Sequence, residues 1–251
     1  VDKFCFTCGN GSIVVDGGCP GCGRVPKSLD LSKDDPETAI TFLNKVKETR
    51  IPDEYVDVEW SVERFLVYKG LSSADKDKDL FLSRYLDSLQ RLHDIFASGV
   101  LSPKSAFIIA PSTYSKVTFA YSCMKHALKN GLSVAPLIDT QDLKRMFVLS
   151  AEKMDYKLHT YINYDEYITS DVLFVTVTKT PYRYEAFSVI EELLGKRSRL
   201  GLSTFILSRY NLSVLSRWDK DNQFKKLASA SARDNFKKFP AQIIYKEPYS
   251  V

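Results

Sequence analysis

Four consecutive stretches decide the reading of this chain: AFIIA at 106–110, PSTYSK at 111–116, VTFAYSCMKHALKNG at 117–131 and LSVAPL at 132–137. They read as strand, phosphate-binding loop, helix and strand, the order of a mononucleotide-binding βαβ unit. Against the pattern G-x-x-x-x-G-K-[ST] the loop keeps only its lysine, Lys116. Ala110 and Ser115 stand at the glycine positions and Val117 at the hydroxyl position. The pattern implies a nucleotide-binding scaffold that no longer uses nucleotide.

The alternation continues on the carboxyl side. Strands are expected at Ala106–Ala110, Ser133–Ile138, Val172–Val177, Thr204–Ser208 and Ala241–Tyr245, with helices near Lys116–Asn130, Thr140–Ala151 and Tyr184–Arg199. Strands alternating with helices predict an α/β fold in three layers, a parallel sheet covered by helices. Ligands of such sheets bind at the carboxyl ends of the strands, which places the loop after Ala110 at the expected site.

From about Tyr85 to Tyr245 the chain resembles the AAA+ ATPase domain (a P-loop NTPase fold) of bacterial and phage replicative-helicase loaders. The resemblance is one of register. APSTYSKV stands at the phosphate loop, NGLSV leads into the second strand and DTQDLKRM follows it; DVLFV-Thr176-Val177 matches the third strand, and EELLGKRSRLGLSTFILSRY the next helix and strand. It implies a magnesium-dependent ATPase, but none of that machinery's motifs is intact. Side chains at Ala110, Thr113 and Ser115 crowd the space that loop glycines leave for a β-phosphate. Val117 removes the magnesium-ligating hydroxyl, Thr176 replaces the carboxylate of the metal's water shell, and Val177 cannot orient an attacking water. Arg209 stands where the family places a polar sensor beside the γ-phosphate. A pseudo-ATPase is expected, with no bound ATP. Lys116, at a helix start, is either a remaining phosphate contact or a solvated lysine.

Composition sets wider bounds. The 251 residues are 44% hydrophobic and 26% charged, enough for one large domain and a small module. A net charge of +4 from 35 basic and 31 acidic residues permits a polyanion partner without requiring one. No run approaches the roughly 18 apolar residues of a membrane span, and no secretory signal opens the sequence. The expected location is the cytoplasm, that of the host if the chain is phage-encoded, with no membrane partner.

Four of the five cysteines lie in the first 22 residues, as Cys5-x2-Cys8-x10-Cys19-x2-Cys22. Gly9 and Gly23 follow the two pairs and let the backbone turn its N–H groups toward thiolate sulfur. The spacing predicts a structural zinc ribbon over residues 1–26 rather than two disulfides, and four thiolates would leave no open position for a catalytic water. Loaders of one Gram-positive type carry an N-terminal zinc domain that contacts the helicase, so the resemblance implies docking for this ribbon; a stable cap is the other reading. Cys123 is expected to be an inert core thiol.

Residues 27–104 read as a helical connecting region, and 105–251 as the degenerate AAA+-like domain. Ala39, Phe42, Leu43 and Val46 mark one helical face after Lys33-Asp34-Asp35-Pro36. Leu82, Tyr85, Leu86, Leu89, Leu92 and Phe96 mark another on a helix expected from Ser73 to Ser98, opened by a polar first turn. Tyr55–Trp60 alternates and reads as a short strand.

Other catalytic patterns are missing. His93, His126 and His159 read as surface or core residues rather than ligands, and the adjacent Glu191 and Glu192 point about 100° apart on a helix. Ser112 and Ser115 lack a G-x-S-x-G elbow. Basic residues cluster as Lys196, Arg197, Arg199, Arg209 and Arg217, and they alternate with aromatics around Lys225-Lys226 and Lys237-Lys238. Lys116, Arg197, Arg209, Lys225, Lys226, Lys237 and Lys238 are therefore candidates for single-stranded DNA, against a solvated basic face as the plainer reading. The tyrosine-rich stretch 156–167 is either a contact loop or an amphipathic hairpin. Together with the altered loop, the resemblance implies a catalytically silent, loader-like accessory protein of DNA replication, phage-encoded, that docks on a replicative helicase or another replisome protein. The alternatives are a residual ATPase with an unorthodox loop and a zinc-ribbon regulator unrelated to replication.

Overall fold

A computed structural model describes residues 36–99, 105–110, 114–143, 146, 164–177, 192–197, 199–209 and 242–244. Helices α1 (Pro36–Glu48), α2 (Asp53–Val56), α3 (Val62–Lys69), α4 (Ser73–Lys78) and α5 (Leu80–Ala97) precede the sheet. Then follow β1 (Ala106–Ile109), α6 (Tyr114–Lys129), β2 (Ile138–Asp139), α7 (Tyr164–Thr169), β3 (Val172–Val177), a helical segment α8 at 192–197, β4 (Ser203–Ser208) and β5 (Gln242–Ile244).

The five strands form one parallel sheet in the order β2-β3-β4-β1-β5. Alternate residues of each strand face opposite layers. Ile108, Val172, Phe174, Phe205 and Leu207 pack with α1, α5 and α6, whereas Leu173, Val175, Val177 and Ile206 pack with Tyr167 of α7 and Leu193 of α8. The result is the expected three-layer α/β arrangement. Phe96 of α5 fixes the first layer, its ring 5.3 Å from Phe205 and 6.0 Å from Phe174, which are themselves stacked at 4.8 Å. Residues of α1, α3 and α5 thus share a single core with the sheet.

Local chemistry explains three departures from the expected elements. The helix expected over Ser73–Ser98 is two helices, because Asp79 takes an extended conformation and its carboxylate accepts from the N–H groups of Phe81 (2.9 Å) and Leu82 (3.1 Å) as the N-cap of α5. The polar turn before it is closed by a capping box between Ser72 and Asp75. The strand expected at Tyr55–Trp60 is helical at its start and unpaired after it, its carbonyls being taken by a buried lysine rather than by a neighbouring strand. The second strand is shorter than Ser133–Ile138: Val134 makes a single bridge to Val172 before Pro136, which has no N–H to donate, and pairing resumes only at Ile138–Asp139.

Candidate functional site

The register brings the carboxyl ends of the central strands level. Ile109 of β1 lies opposite Ser208 of β4, which in turn lies opposite Val177 of β3. From β1 the chain crosses past β4 and β3 to reach β2, and from β4 it crosses past β1 to reach β5. The two connections leave in opposite directions, so the topological switch point lies between β1 and β4, the position at which open α/β sheets hold ligands.

Lys116 occupies that position. It sits in the first turn of α6 and is 2% exposed. Its ammonium donates to the carbonyl of Ala110, just past β1, and at 2.9 Å to the carbonyl of Ser208, the last residue of β4. The pairing of β1 with β4 continues beneath it through Ala110 N to Ser208 O at 3.0 Å. Lys116 therefore joins two strand ends across the switch point. Burial, and secondarily the nearby Arg209, push its pKa down to about 7.

The other residues expected at this site have the following places. Ala110 is buried and Val117 half-buried. Thr176 is half-buried with its hydroxyl 3.4 Å from the carbonyl of Ile138, and Val177 is buried in the opposite layer. Arg209 is exposed just beyond β4. Ser112 and Thr113 lie outside the described residues, as does the side chain of Ser115.

Two candidate DNA contacts face inward. Lys116 is one. Arg197 is fully buried at the end of α8, where its guanidinium donates to the carbonyls of Tyr167 (2.8 Å), Ile168 (3.2 Å), Ser170 (2.8 Å) and Ser203 (2.6 Å) and to the hydroxyl of Thr204 (2.8 Å). It clamps the end of α7 to the start of β4, and this commitment removes it from any solvent-facing basic patch. Among the candidates, only Arg209 is both described and exposed; Lys225, Lys226, Lys237 and Lys238 lie outside the described residues, as do Arg217, the tyrosine-rich stretch at 156–163, and Cys5, Cys8, Cys19 and Cys22. Cys123 is buried as expected, and burial pushes its thiol pKa well up.

A second constellation was missed in the sequence. His93 of α5 and His126 of α6 both direct Nε2 at Glu59, each 2.7 Å from Oε1. Ser122 donates to the same oxygen, and accepts from Trp60 N at 3.2 Å. Burial raises the Glu59 pKa, but the hydrogen bonds from His126, His93 and Ser122 outweigh it and hold the carboxyl far below the usual range. Next to it, Lys125 donates to the carbonyls of Tyr55 (3.0 Å), Val56 (2.9 Å) and Val58 (2.6 Å); burial lowers its pKa to about 8 against the opposing pull of Glu59 and Asp57. The three residues come together only in the fold, since Glu59 is 34 residues from His93 and 67 from His126. The i, i+3, i+4 spacing of Ser122, Lys125 and His126 on one helical face was the available signal.

No protein-family model matches this sequence, and no curated protein does. Among solved structures the chain is similar to DnaI, at a TM-score of 0.46 and 16% identity over 64% of this chain and 81% of that one. It is also similar to a protein described as a primosome component from Streptococcus pyogenes serotype M3, at a TM-score of 0.46 and 13% identity over 73% of this chain and 90% of that one. AMPPCP-bound DnaA from Aquifex aeolicus is a third, at a TM-score of 0.37 and 15% identity, with 60% of this chain and 52% of that chain covered. All three likenesses are partial in coverage and low in identity.

Proposed function

We propose that this protein is a loader-like accessory factor of DNA replication that neither hydrolyses nor tightly binds nucleotide, and that acts by docking on a replicative helicase or another replisome protein. One observation carries the silent-ATPase part of this reading: the ammonium of Lys116 is held by the Ala110 and Ser208 carbonyls. A lysine that serves a phosphate must present its charge to an open loop. Here the ammonium is buried, its pKa is pushed down to about 7, and it is committed to the sheet.

The replication part is supported by the order of sequence landmarks around the degenerate loop and by the parallel sheet on which they fall. Docking through the Cys5–Cys22 ribbon, with zinc bound, belongs to the same reading. Single-stranded DNA is a second partner in it, contacted by exposed Arg209 and the basic-aromatic carboxyl-terminal stretch rather than by Lys116 or Arg197.

Capture of partners with the full chain from cells that contain a replication machinery tests the docking role. Recovery of a helicase or another replisome protein, lost on replacing Cys5 and Cys8 by Ser, is the expected result. Recovery only of proteins foreign to replication would overturn it. Binding to single-stranded DNA over duplex, weakening steeply with salt, is expected if the strand is a partner.

A further inference from the structure

We propose that Glu59, His93 and His126 form a binding site for a divalent transition-metal ion of the zinc class, separate from the cysteine-rich amino-terminal segment. Two imidazole nitrogens and one carboxylate are the donor set of open, three-ligand zinc sites. Their ligand atoms all lie within 4.8 Å of one another. They come from three separate pieces of chain: the 57–60 segment, α5 and α6.

The distribution of donors around Glu59 is what points to an ion. Oε1 is approached by both histidines and by the Ser122 hydroxyl, whereas Oε2 is buried and has no hydrogen-bond partner among the described residues. A network built only to satisfy hydrogen bonds would spread its donors over both oxygens. A tetrahedral ion with bonds of about 2.1 Å sets its ligand atoms about 3.4 Å apart. Each imidazole nitrogen is 2.7 Å from Oε1, so opening by about 0.7 Å admits the ion, and Oε2 is available as the ligating atom when the carboxylate turns. The imidazole edges are already set nearly perpendicular, with ring centroids 4.9 Å apart.

Nitrogen and carboxylate donors select zinc, cobalt or nickel over magnesium and calcium, which take all-oxygen shells. Lys125, 3.8 Å from Oε2, is held back by the three carbonyls it serves. His126 and Glu59 keep about a fifth of their side chains exposed, at 22% and 20%, so the fourth position opens toward water. Binding there would pin α5 and α6 to the segment ahead of α3.

Cobalt(II) titration of the full chain, with protein-bound metal counted after gel filtration, tests the site. Wild type is expected to bind one more equivalent than His126→Gln, and that equivalent should contribute d–d bands without thiolate charge transfer. Zinc should raise the melting midpoint of wild type more than that of the variant. Equal stoichiometry in wild type and a folded His126→Gln would overturn the proposal. If His126→Gln does not fold, the wild-type spectrum decides: a nitrogen- and oxygen-ligated component at saturation supports the site, and a purely thiolate spectrum overturns it.

Discussion

Lys116 shows how a buried position sets the work of a charged side chain. Its ammonium turns to the backbone and bonds the ends of β1 and β4. Lys116→Met keeps the aliphatic stem but removes the ammonium's hydrogen bonds to the Ala110 and Ser208 carbonyls, the second of which keeps the Ala110 N–H, and this should cost about 1–3 kcal/mol in urea unfolding. The pH dependence has a definite sign. The folded pKa of about 7 lies below the ordinary 10.5, so above pH 7 the unfolded chain holds a proton that the folded chain has released. Stability should therefore rise with pH from 7 toward 9.5 in wild type relative to Lys116→Met, by at most about 1.4 kcal/mol per pH unit, with Arg209 as the charged neighbour in view. An identical pH profile for the two proteins would contradict this burial. Arg197 makes the same point more severely. Arg197→Lys cannot reproduce a fork that serves Tyr167, Ser170, Ser203 and Thr204 together, and should lower stability by about 2–3 kcal/mol without affecting binding of single-stranded DNA. In sequence it was one of several basic residues near β4. Nothing in a charge pattern separates a buried guanidinium from a solvated one, because the acceptors are backbone carbonyls that α7 and β4 supply only after folding.

At the level of elements, apolar periodicity was a good guide. The four residues read as the inner face of α1 and the six read on α5 are all buried. β3 runs from Val172 to Val177 as expected, since a strand buried on both faces leaves a continuous apolar run. The errors fall where a polar side chain overrides the pattern. Asp79 ends one helix and caps the next, so Asp79→Ala should destabilise the protein by about 1 kcal/mol and lower helix content at the start of α5, as measured by hydrogen exchange at Phe81 and Leu82. The strand expected at Tyr55–Trp60 failed for a related reason: Val56 and Trp60 are buried, but Lys125 takes the carbonyls of Tyr55, Val56 and Val58. Of the Glu59 cluster only the polar face of α6 was legible, because its two histidines lie on different helices. Only the contact of α5 with α6 brings them to one carboxylate.

For the molecule as a whole, residues 36–99 are part of the same core as the sheet rather than merely a path toward it. The stack of Phe96 on Phe174 and Phe205 is the clearest sign of this. Phe96→Ala should cost about 3–5 kcal/mol, and probes placed in α5 and in β4 should report one unfolding transition rather than two. The order β2-β3-β4-β1-β5 then puts the switch point over the β1 and β4 ends, where open α/β sheets hold ligands and where Lys116 closes the edge. Calorimetric titration of the full chain with ATP and magnesium asks directly whether this edge still serves nucleotide. Our account predicts no saturable heat and no phosphate release with nucleotide in large excess over protein. Stoichiometric uptake, or turnover that disappears in Lys116→Ala, would contradict it.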